Sequence, residues 1–471
     1  MKRFIVFLAL LASVCAHAVA ADKAKPNILI ILADDMGYGD AGFNGCKDIH
    51  TPTIDSIAKN GVRFSAGYVT APQCAPSRSG LLTGRYQNWF GCEVNDDLEN
   101  KGITRGIRLF GDYLHPAGYR TGIVGKWHLG TEPEGCHPLQ RGFDFFYGFL
   151  GGGSFYFPRD NAKTIPSILD GRTPQQVTGF LTDAFGDQAI RFIESSKDKP
   201  FFLYLAFNAP HAPLQAPQSY LDRFRYLAVP GEPGVRCDYT KKHIDHPRQV
   251  YAAMIAAMDD NIARILACLR RLGIADNTLI VFLSDNGGPT YVTAASNAPL
   301  RGVKGDTLEG GIRVPFAMQW KAVIPAGQTI DAPISSLDLL PTALAAAGAP
   351  VPPDANFDGM NILPLVTGQE KPGPRTLTWR FPFPPKQPKL HVWAVRQGDW
   401  KLVKEVVRDD KTHKMAMDTK VGLYQLSRDI TESNDLSAEH PRKRQALQST
   451  YDDWNSKLPA PFTTGNTPAP K

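Results

Sequence analysis

Residues 27–35 read Asn-Ile-Leu-Ile-Ile-Leu-Ala-Asp-Asp, an unbroken apolar run that ends in two carboxylates. The run is too short for an ordinary helix and shows no alternation of polar and apolar residues. Strands that are buried on both faces of a parallel sheet have this pattern, because helices cover both faces of such a sheet. We therefore predict an α/β sheet whose edge carries Asp34 and Asp35.

Three further segments repeat this pattern. Apolar runs at 119–125, 201–207 and 279–284 lead into Lys126-Trp127-His128, Asn208-Ala209-Pro210-His211 and Asp285-Asn286-Gly287-Gly288. Between the last two runs, apolar residues recur with helical spacing over 250–272, and Gly273 provides a stop. Because open α/β sheets bind ligands beyond the carboxyl ends of their strands, we predict a large doubly wound, mostly parallel sheet with a site at that edge.

The chain has 471 residues, of which 43% are hydrophobic and 21% charged, as in ordinary globular proteins. Single cores stop growing at about 250–300 residues, so we expect a second, smaller domain. We place the boundary near Thr367, in a stretch rich in Pro, Gly and Asp. Apolar segments at 391–395 and 400–403 predict an antiparallel hairpin. The predicted units are a catalytic domain at 21–367 and a C-terminal α+β subdomain with an antiparallel sheet at 368–471.

The first 20 residues are typical of an export signal. Lys2 and Arg3 precede an apolar run at 4–14, and Ala18-Val19-Ala20 follows. The run is shorter than the roughly 20 apolar residues of a spanning helix. We therefore expect a signal peptide at 1–20, a periplasmic or extracellular protein, and no membrane span. The net charge of +6 is mild and scattered along the chain, which argues against a nucleic-acid partner.

The predicted sheet edge carries two groups of polar residues. One group suits a metal ion, and the other suits an anion bound beside that ion. Carboxylates and amides are the ligands that Ca²⁺ or Mg²⁺ prefers over zinc, although such residues after strands also serve as turn formers or helix caps. Cations and imidazoles beside such a metal would form a pocket for a tetrahedral oxyanion, although each alone is ordinary. The metal candidates are Asp34, Asp35, Asp285 and Asn286, and the anion-binding candidates are Lys126, His128, His211 and Lys304.

The most specific segment is 74–85, which reads Cys-Ala-Pro-Ser-Arg-Ser-Gly-Leu-Leu-Thr-Gly-Arg. Pro76 suits the first turn of a helix, so Cys74 would lie at the helix amino end, where negative charge is favoured. Arg78 follows four residues later on the same face. A structural disulfide or a low-pKa thiol nucleophile are the alternatives for Cys74. The sequence does not determine any pairing among the remaining mature cysteines, which are Cys46, Cys92, Cys136, Cys237 and Cys268.

This segment resembles the signature of the type I sulfatases of the alkaline phosphatase superfamily, in which the cysteine is oxidised to formylglycine (3-oxoalanine). Further blocks over roughly 26–315 resemble the family in the family's order, and the chain looks similar to arylsulfatases and N-acetylgalactosamine-6-sulfatase-like enzymes. The matching blocks are Pro26-Asn27, 34–40, 125–130, 210–213, 284–287, 300–304 and 309–315.

The resemblance implies a role for each candidate residue. Asp34, Asp35, Asp285 and Asn286 would bind Ca²⁺, or Mg²⁺, together with the formylglycine at Cys74. Arg78 and Lys126 would support the hydrated aldehyde, Asp285 would act as base and His128 would assist elimination, while His211 and Lys304 would contact the sulfate, with His211 as general acid. The implied chemistry is calcium-assisted sulfuryl transfer to the hydrated aldehyde, followed by elimination of sulfate.

The resemblance therefore implies hydrolysis of sulfate esters, with a sulfated carbohydrate as substrate and a formylglycine-generating enzyme as partner. Two alternatives stay open: a phosphoester or phosphonate monoester hydrolase of the same superfamily, and a silent glycan-binding protein whose Cys74 is never oxidised. The candidates for sugar contacts are Trp89, Phe155, Tyr156, Arg159 and His391. The sequence does not specify the sugar, the sulfated position, exo or endo action, or the oligomeric state.

Overall fold

The computed structural model describes residues 25–95, 102–131, 135–158, 167–229, 235–236, 243–382, 390–408 and 415–460. The predicted signal peptide at 1–20, Arg159 and Cys237 lie outside these residues. None of the helices in the described ranges combines the length and the apolar character that crossing a bilayer requires.

The strands and helices alternate along most of the chain. The strands are β1 (Asn27–Ala33), β2 (Val62–Phe64), β3 (Gly67–Tyr68), β4 (Arg120–Lys126), β5 (Phe145–Phe149), β6 (Ile168–Asp170), β7 (Thr173–Gln175), β8 (Phe201–Ala206), β9 (Val235–Arg236), β10 (His243–Ile244), β11 (Thr278–Ser284), β12 (Phe316–Gln319), β13 (Gln328–Ile330), β14 (Ile334–Ser335), β15 (Thr376–Phe381), β16 (Val392–Gln397), β17 (Trp400–Arg408) and β18 (Met415–Gln425). The α-helices are α1 (Pro52–Lys59), α2 (Cys74–Thr83), α3 (Phe110–Leu114), α4 (Leu181–Ser195), α5 (Gln218–Leu221), α6 (Pro247–Arg271), α7 (Thr290–Thr293), α8 (Glu309–Ile312), α9 (Leu339–Ala347), α10 (Leu363–Val366) and α11 (Pro441–Ser456). Short 3₁₀ helices cover Tyr38–Asp40, Gly42–Asn44, Gln87–Phe90, Pro138–Gln140, Asp222–Leu227 and Ser336–Asp338.

The described chain forms a ten-stranded sheet in the order β13-β2-β12-β11-β1-β8-β4-β5-β6-β7. Its centre, from β11 through β1, β8 and β4 to β5, is parallel. Strand β12 is antiparallel to β11, and β6 and β7 pair antiparallel at the other end. The four strands predicted from the sequence are the four central ones, so the predicted doubly wound, mostly parallel sheet is confirmed.

Side chains of β1 alternate between two cores, one on each face of the sheet. Leu29 and Ile31 pack in the core formed with α1, α4 and α6. Ile28, Ile30 and Leu32 pack in the core formed with α2, α3 and α9. Because successive residues of a strand point to opposite faces, Asp34 continues the row of Ile30 and Leu32 and faces the side of α2.

The C-terminal part of the described chain forms an antiparallel sheet in the order β15-β16-β17-β18, with α11 packed on one face. Trp393 stacks on Tyr451 of α11 with ring centroids 4.2 Å apart. The predicted hairpin is confirmed as β16 and β17. The boundary placed near Thr367 falls between α10 and β15, and the division into two domains stays a prediction.

Asp259 of α6 is a buried carboxyl in the core formed with α1, α4 and α6, and its titration should affect the stability of the protein. Its Oδ1 accepts the N–H of Ile54 at 2.8 Å and its Oδ2 accepts the N–H of Thr53 at 3.1 Å, so it caps α1. Burial raises its pKa to about 6 from an ordinary 3.8. The folded state therefore binds the proton more tightly, and the stability gained from the protonated carboxyl is lost as the pH rises from about 4 to about 6.

We expect Asp259→Asn to remove this pH dependence, because the amide does not titrate. Over pH 4 to 6 the free energy of unfolding of the native chain should fall by about 2–3 kcal/mol relative to that of Asp259→Asn. Urea unfolding of both proteins across pH 4–7 measures this difference. Two stability curves that stay parallel over this range would contradict the prediction.

Candidate active site

Two adjacent strands bring the predicted metal ligands together at the carboxyl edge of the sheet. The parallel register pairs Ala33 of β1 with Ser284 of β11, so Asp34 and Asp285 leave the sheet side by side. The N–H of Asp35 donates to Oδ1 of Asp285 at 3.1 Å. Asp35 adopts a left-handed conformation with φ 67°, which turns the chain sharply at this point. The pair of carboxylates predicted from the sequence is therefore one compact group with Asp285.

Cys74 is the first residue of α2, as predicted, and is buried beneath this edge. Its Sγ lies 3.6 Å from Oδ1 of Asp34 and 3.0 Å from Nζ of Lys304. Burial raises the pKa of the Cys74 thiol to about 12. The unmodified side chain is a neutral thiol at neutral pH, which disfavours the alternative of a low-pKa thiol nucleophile. Cys74 forms no disulfide in the described structure, so the disulfide alternative at this position is not observed.

Arg78 lies one turn further along α2 and is fully buried. Its Nε and Nη2 donate to Oδ2 of Asp285 at 3.0 and 2.8 Å, and its Nη1 donates to the carbonyl of Lys126 at 3.2 Å. Burial opposes its charge, but Asp285 and Asp34 outweigh burial and raise its pKa. Arg78 is thus a permanent positive charge that connects α2 to the ends of β4 and β11.

Lys126 and Asp34 form a second buried ion pair, with Nζ 2.7 Å from Oδ2. Burial alone would raise the pKa of Asp34, but Lys126, His211 and Arg78 hold it below its ordinary range. Burial and the neighbouring charge of Asp34 raise the pKa of Asp285 to about 6. Of the two adjacent carboxylates, Asp34 is therefore the permanent anion and Asp285 is the one that can take up a proton near neutral pH.

Both predicted histidines lie at the same edge. Burial lowers the pKa of His128, helped by Lys126 and Arg78, and burial also lowers the pKa of His211. Nδ1 of His211 lies 2.6 Å from the carbonyl of Ala212. A carbonyl only accepts, so we assign the proton to Nδ1, which leaves Nε2 facing Asp35 Oδ2 at 3.6 Å.

Lys304 approaches from the loop between α7 and α8. Its Nζ contacts Oδ1 and Oδ2 of Asp35 at 2.7 and 2.9 Å. Its main chain is fixed nearby, since the N–H of Gly305 donates to the carbonyl of Pro72 at 2.9 Å, just before α2. With a side chain 15% exposed, Lys304 is more accessible than Lys126, whose side chain is fully buried. The loop therefore brings a cation over Cys74 from the solvent side.

Four side chains at this edge are close enough together to hold a metal ion. Ligand atoms of Asp34, Asp35, Cys74 and His211 all lie within 4.8 Å of one another. Asn286 donates from Nδ2 to Asp35 Oδ1 at 2.6 Å, while its buried Oδ1 has no hydrogen-bond partner among the described residues. An unpartnered amide oxygen beside two carboxylates is the kind of ligand set that calcium and magnesium prefer.

Comparison with known proteins identifies the family. The family described as Sulfatase matches residues 26–349, and the family described as N-sulphoglucosamine sulphohydrolase, C-terminal, matches residues 305–452. The chain belongs to the sulfatase family. It is a sulfuric ester hydrolase, and the resemblance noted in the sequence is confirmed.

Relatives of this sulfatase match along most of their length. The human N-acetylgalactosamine-6-sulfatase is 33% identical, over 90% of this chain and 83% of the relative. The Uncharacterized sulfatase YdeN of Escherichia coli strain K12 is 28% identical, over 94% of this chain and 88% of the relative. The crystal structure of Ps i-CgsB is 34% identical with a TM-score of 0.82, covering 93% of this chain and 94% of the other.

The candidate sugar contacts of this sulfatase have different environments. Tyr156 is buried, and its hydroxyl donates to the carbonyls of Asn208 at 2.5 Å and His211 at 2.9 Å, so it supports the main chain of the site. Trp89 is half-buried and its Nε1 donates to Asp358. Phe155 and His391 are also half-buried. Tyr251 supports the edge in the same way as Tyr156, through the carbonyl of Asp35 at 3.3 Å, and sequence patterns did not indicate it.

Proposed function

We propose that this sulfatase hydrolyses O-sulfate esters of a glycan, using formylglycine formed from Cys74. The observation that carries the proposal is the position of Cys74 at the amino end of α2, 3.0 Å from Lys304 and 3.6 Å from Asp34. The names of the relatives support a glycan, since they include N-acetylgalactosamine-6-sulfatases, and Ps i-CgsB has been solved in complex with k-i-k-neocarrahexaose. The signal-like residues 1–20 support export to the periplasm or beyond.

The proposed metal is Ca²⁺, with Mg²⁺ as the competing cation. Asp34, Asp35, Asp285 and Asn286 would hold it, together with the oxygen of the modified residue 74. Calcium accepts six to eight oxygen ligands in a flexible geometry, whereas magnesium requires a near-ideal octahedron, so an irregular set of carboxylate and amide oxygens favours calcium. When bound, the cation would stabilise negative charge next to an anionic ester.

Formylglycine supplies a hydrated aldehyde whose hydroxyl is the nucleophile toward sulfur. Arg78 and Lys126 orient residue 74 and balance the charge of Asp34 and Asp285. Asp285 is the proposed base, because a carboxylate with a pKa near 6 is ionised at neutral pH and still accepts a proton. Lys304 would bind the sulfuryl oxygens, since it is the more exposed of the two lysines.

The two histidines are proposed to move protons at opposite ends of the reaction. His211 presents Nε2 on the side of Asp35 and Lys304. A bound sulfate ester brings negative charge to Nε2, which favours the protonated ring, and His211 would then protonate the leaving alcohol oxygen. His128, held neutral by burial and its cationic neighbours, would accept the proton released when sulfate is eliminated.

Mass spectrometry and competing ester assays test the proposal together. In the native host we expect the peptide that contains Cys74 to be about 18 Da lighter than the thiol form, as oxidation of the thiol to an aldehyde requires. The purified protein should hydrolyse an aryl sulfate much faster than the matching aryl phosphate, and a panel of sulfated mono- and oligosaccharides would identify the substrate. Preference for phosphate would support the phosphoester hydrolase alternative. An unmodified thiol without turnover would support the silent glycan-binding alternative.

A further inference from the structure

Asn208 is a buried amide whose hydrogen-bonding groups have no partner within the described protein. It follows β8, the strand between β1 and β4, and only 2% of its surface is exposed. Neither Nδ2 nor Oδ1 makes a hydrogen bond to any described residue. A buried amide left without partners is costly, because its hydrogen bonds to water are lost on folding.

Other buried asparagines of this chain show what a structural amide looks like. Asn297 accepts the N–H of Gly288 at Oδ1 and donates from Nδ2 to the carbonyls of Gly288 and Gly302. Asn261 similarly uses both of its amide atoms, with Asp183, Arg264 and a main-chain carbonyl as partners. Asn208 therefore differs from these residues, and its amide is available for a group that binds from outside the protein.

The strand pattern gives the direction of this side chain. Phe202, Tyr204 and Ala206 of β8 pack in the core on the side of α2, whereas Phe207 and Ala209 pack in the other core. Because the alternation continues through residue 209, the side chain of Asn208 points to the side of α2.

The chain that follows β8 runs beside Asp34. Leu32 and Ala206 are the last register pair of β1 and β8, and beyond them the N–H of Asp34 donates to the carbonyl of Ala209 at 3.1 Å, two residues further along than an unbroken parallel ladder gives. The main chain at 208–209 therefore lies beside Asp34, and both Asn208 and Asp34 have their side chains on the side of α2. Asp34 in turn contacts Lys126 and Cys74, so the amide of Asn208 lies on the face of the sheet that carries the site.

The main chain holds Asn208 in this position. Its carbonyl accepts the hydroxyl of Tyr156 at 2.5 Å and the N–H of His211 at 2.9 Å. The two fully buried cations of the site already have partners, since Lys126 pairs with Asp34 and Arg78 with Asp285. The amide of Asn208 is thus a fixed, uncommitted donor beside a site built for an oxyanion.

We propose that Asn208 is a further substrate-binding residue, whose Nδ2 donates a hydrogen bond to an oxygen of the bound sulfuryl group. This inference rests on the proposed function. A neutral amide suits the position, because it binds an anion without adding charge beside the buried Lys126–Asp34 pair. The hydrogen bond persists while charge builds on the sulfuryl oxygens, so its loss lowers kcat as well as affinity.

The test replaces the amide by an apolar side chain of the same shape. We expect Asn208→Leu to keep or raise the melting temperature, because an unpartnered polar group is removed from the interior. We expect kcat/KM for an aryl sulfate to fall roughly 10²-fold, the usual loss for one oxyanion donor, and inorganic sulfate to become a weaker inhibitor. If leucine is too large for the site, the Asn208→Ala protein, with its smaller side chain, still folds. It gives the same two readouts, which are kcat/KM for an aryl sulfate and inhibition by inorganic sulfate.

Trp320→Phe is the matched control. Trp320 follows β12 at the opposite edge of the sheet, where Gln319 pairs with Ile280, and its Nε1 is also buried without a partner among the described residues. We expect this variant to keep wild-type turnover and sulfate inhibition. Unchanged kcat/KM and sulfate inhibition in a folded Asn208 variant would overturn the proposal, as would a loss of activity that only follows a loss of stability. A failure of the proposed function is separate, because then the wild-type protein itself would not turn over sulfate esters.

Discussion

Cys74→Ala should lose turnover by on the order of 10⁴-fold or more in kcat, the scale seen when a covalent nucleophile is removed from an enzyme. The protein should still fold and bind calcium. Alanine removes only Sγ, and α2 (Cys74–Thr83) keeps its position because Arg78 remains paired with Asp285 at 2.8 Å. Asp34 also keeps Lys126 at 2.7 Å, so the carboxylates proposed to hold the metal stay in place.

Three measurements check this prediction. Turnover of an aryl sulfate reports catalysis, the melting temperature reports folding, and calorimetry reports calcium binding. The control is Cys268→Ala, which removes another buried thiol, near the carboxyl end of α6 and so before the start of β11, whose other end carries the site. This control should retain full turnover. Substantial sulfatase activity in Cys74→Ala, with the control active, would refute the assignment of Cys74 as the nucleophile's precursor.

The central strands were predictable from sequence because burial on both faces leaves a continuous apolar run. β1 covers Asn27–Ala33, the same residues as the predicted run, and β11 differs from the prediction by one residue. The short strands at the ends of the sheet were not predicted. β2, for example, has only three residues, and its pairing with both β12 and β13 depends on contacts distant in sequence.

The ten candidate site residues could be singled out in the sequence because polar groups interrupt apolar runs and because the segments around them resemble a family. The structure brings these residues together at one sheet edge, and their roles stay proposals. Asn208 was not singled out, because one asparagine after a strand is also an ordinary turn former. To distinguish Asn208 from a turn former, one must know that it is buried, where it lies relative to β1 and β8, and that its amide lacks hydrogen bonds to the described residues. None of these is visible in one sequence.

The second large effect concerns the buried contact between β17 of the C-terminal sheet and α8. Lys401 of β17 is fully buried, with Nζ 2.8 Å from Glu309 Oε1 and 2.9 Å from Glu432 Oε1. Glu309 begins α8, shortly after Lys304, and also accepts the hydroxyl of Tyr68. Burial raises the pKa of Glu432 to about 7, and in Glu309 Lys401 and Arg313 outweigh burial and lower the pKa to about 2. One lysine therefore neutralises carboxylates that otherwise repel each other in the interior.

We expect Lys401→Met to lower the free energy of unfolding by about 3–5 kcal/mol, because it leaves Glu309 buried without its principal cation. Lys420→Met is the control, since Lys420 lies in the neighbouring strand with a side chain 58% exposed and 3.7 Å from Glu405, and such surface pairs are worth about 0–1 kcal/mol. Urea unfolding of both variants measures the difference. Combining Lys401→Met with Glu432→Gln should recover part of the loss, because the remaining charge is then closer to balance. Equal stability of the two lysine variants would show that the buried Lys401–Glu309 pair does not stabilise the contact between β17 and α8.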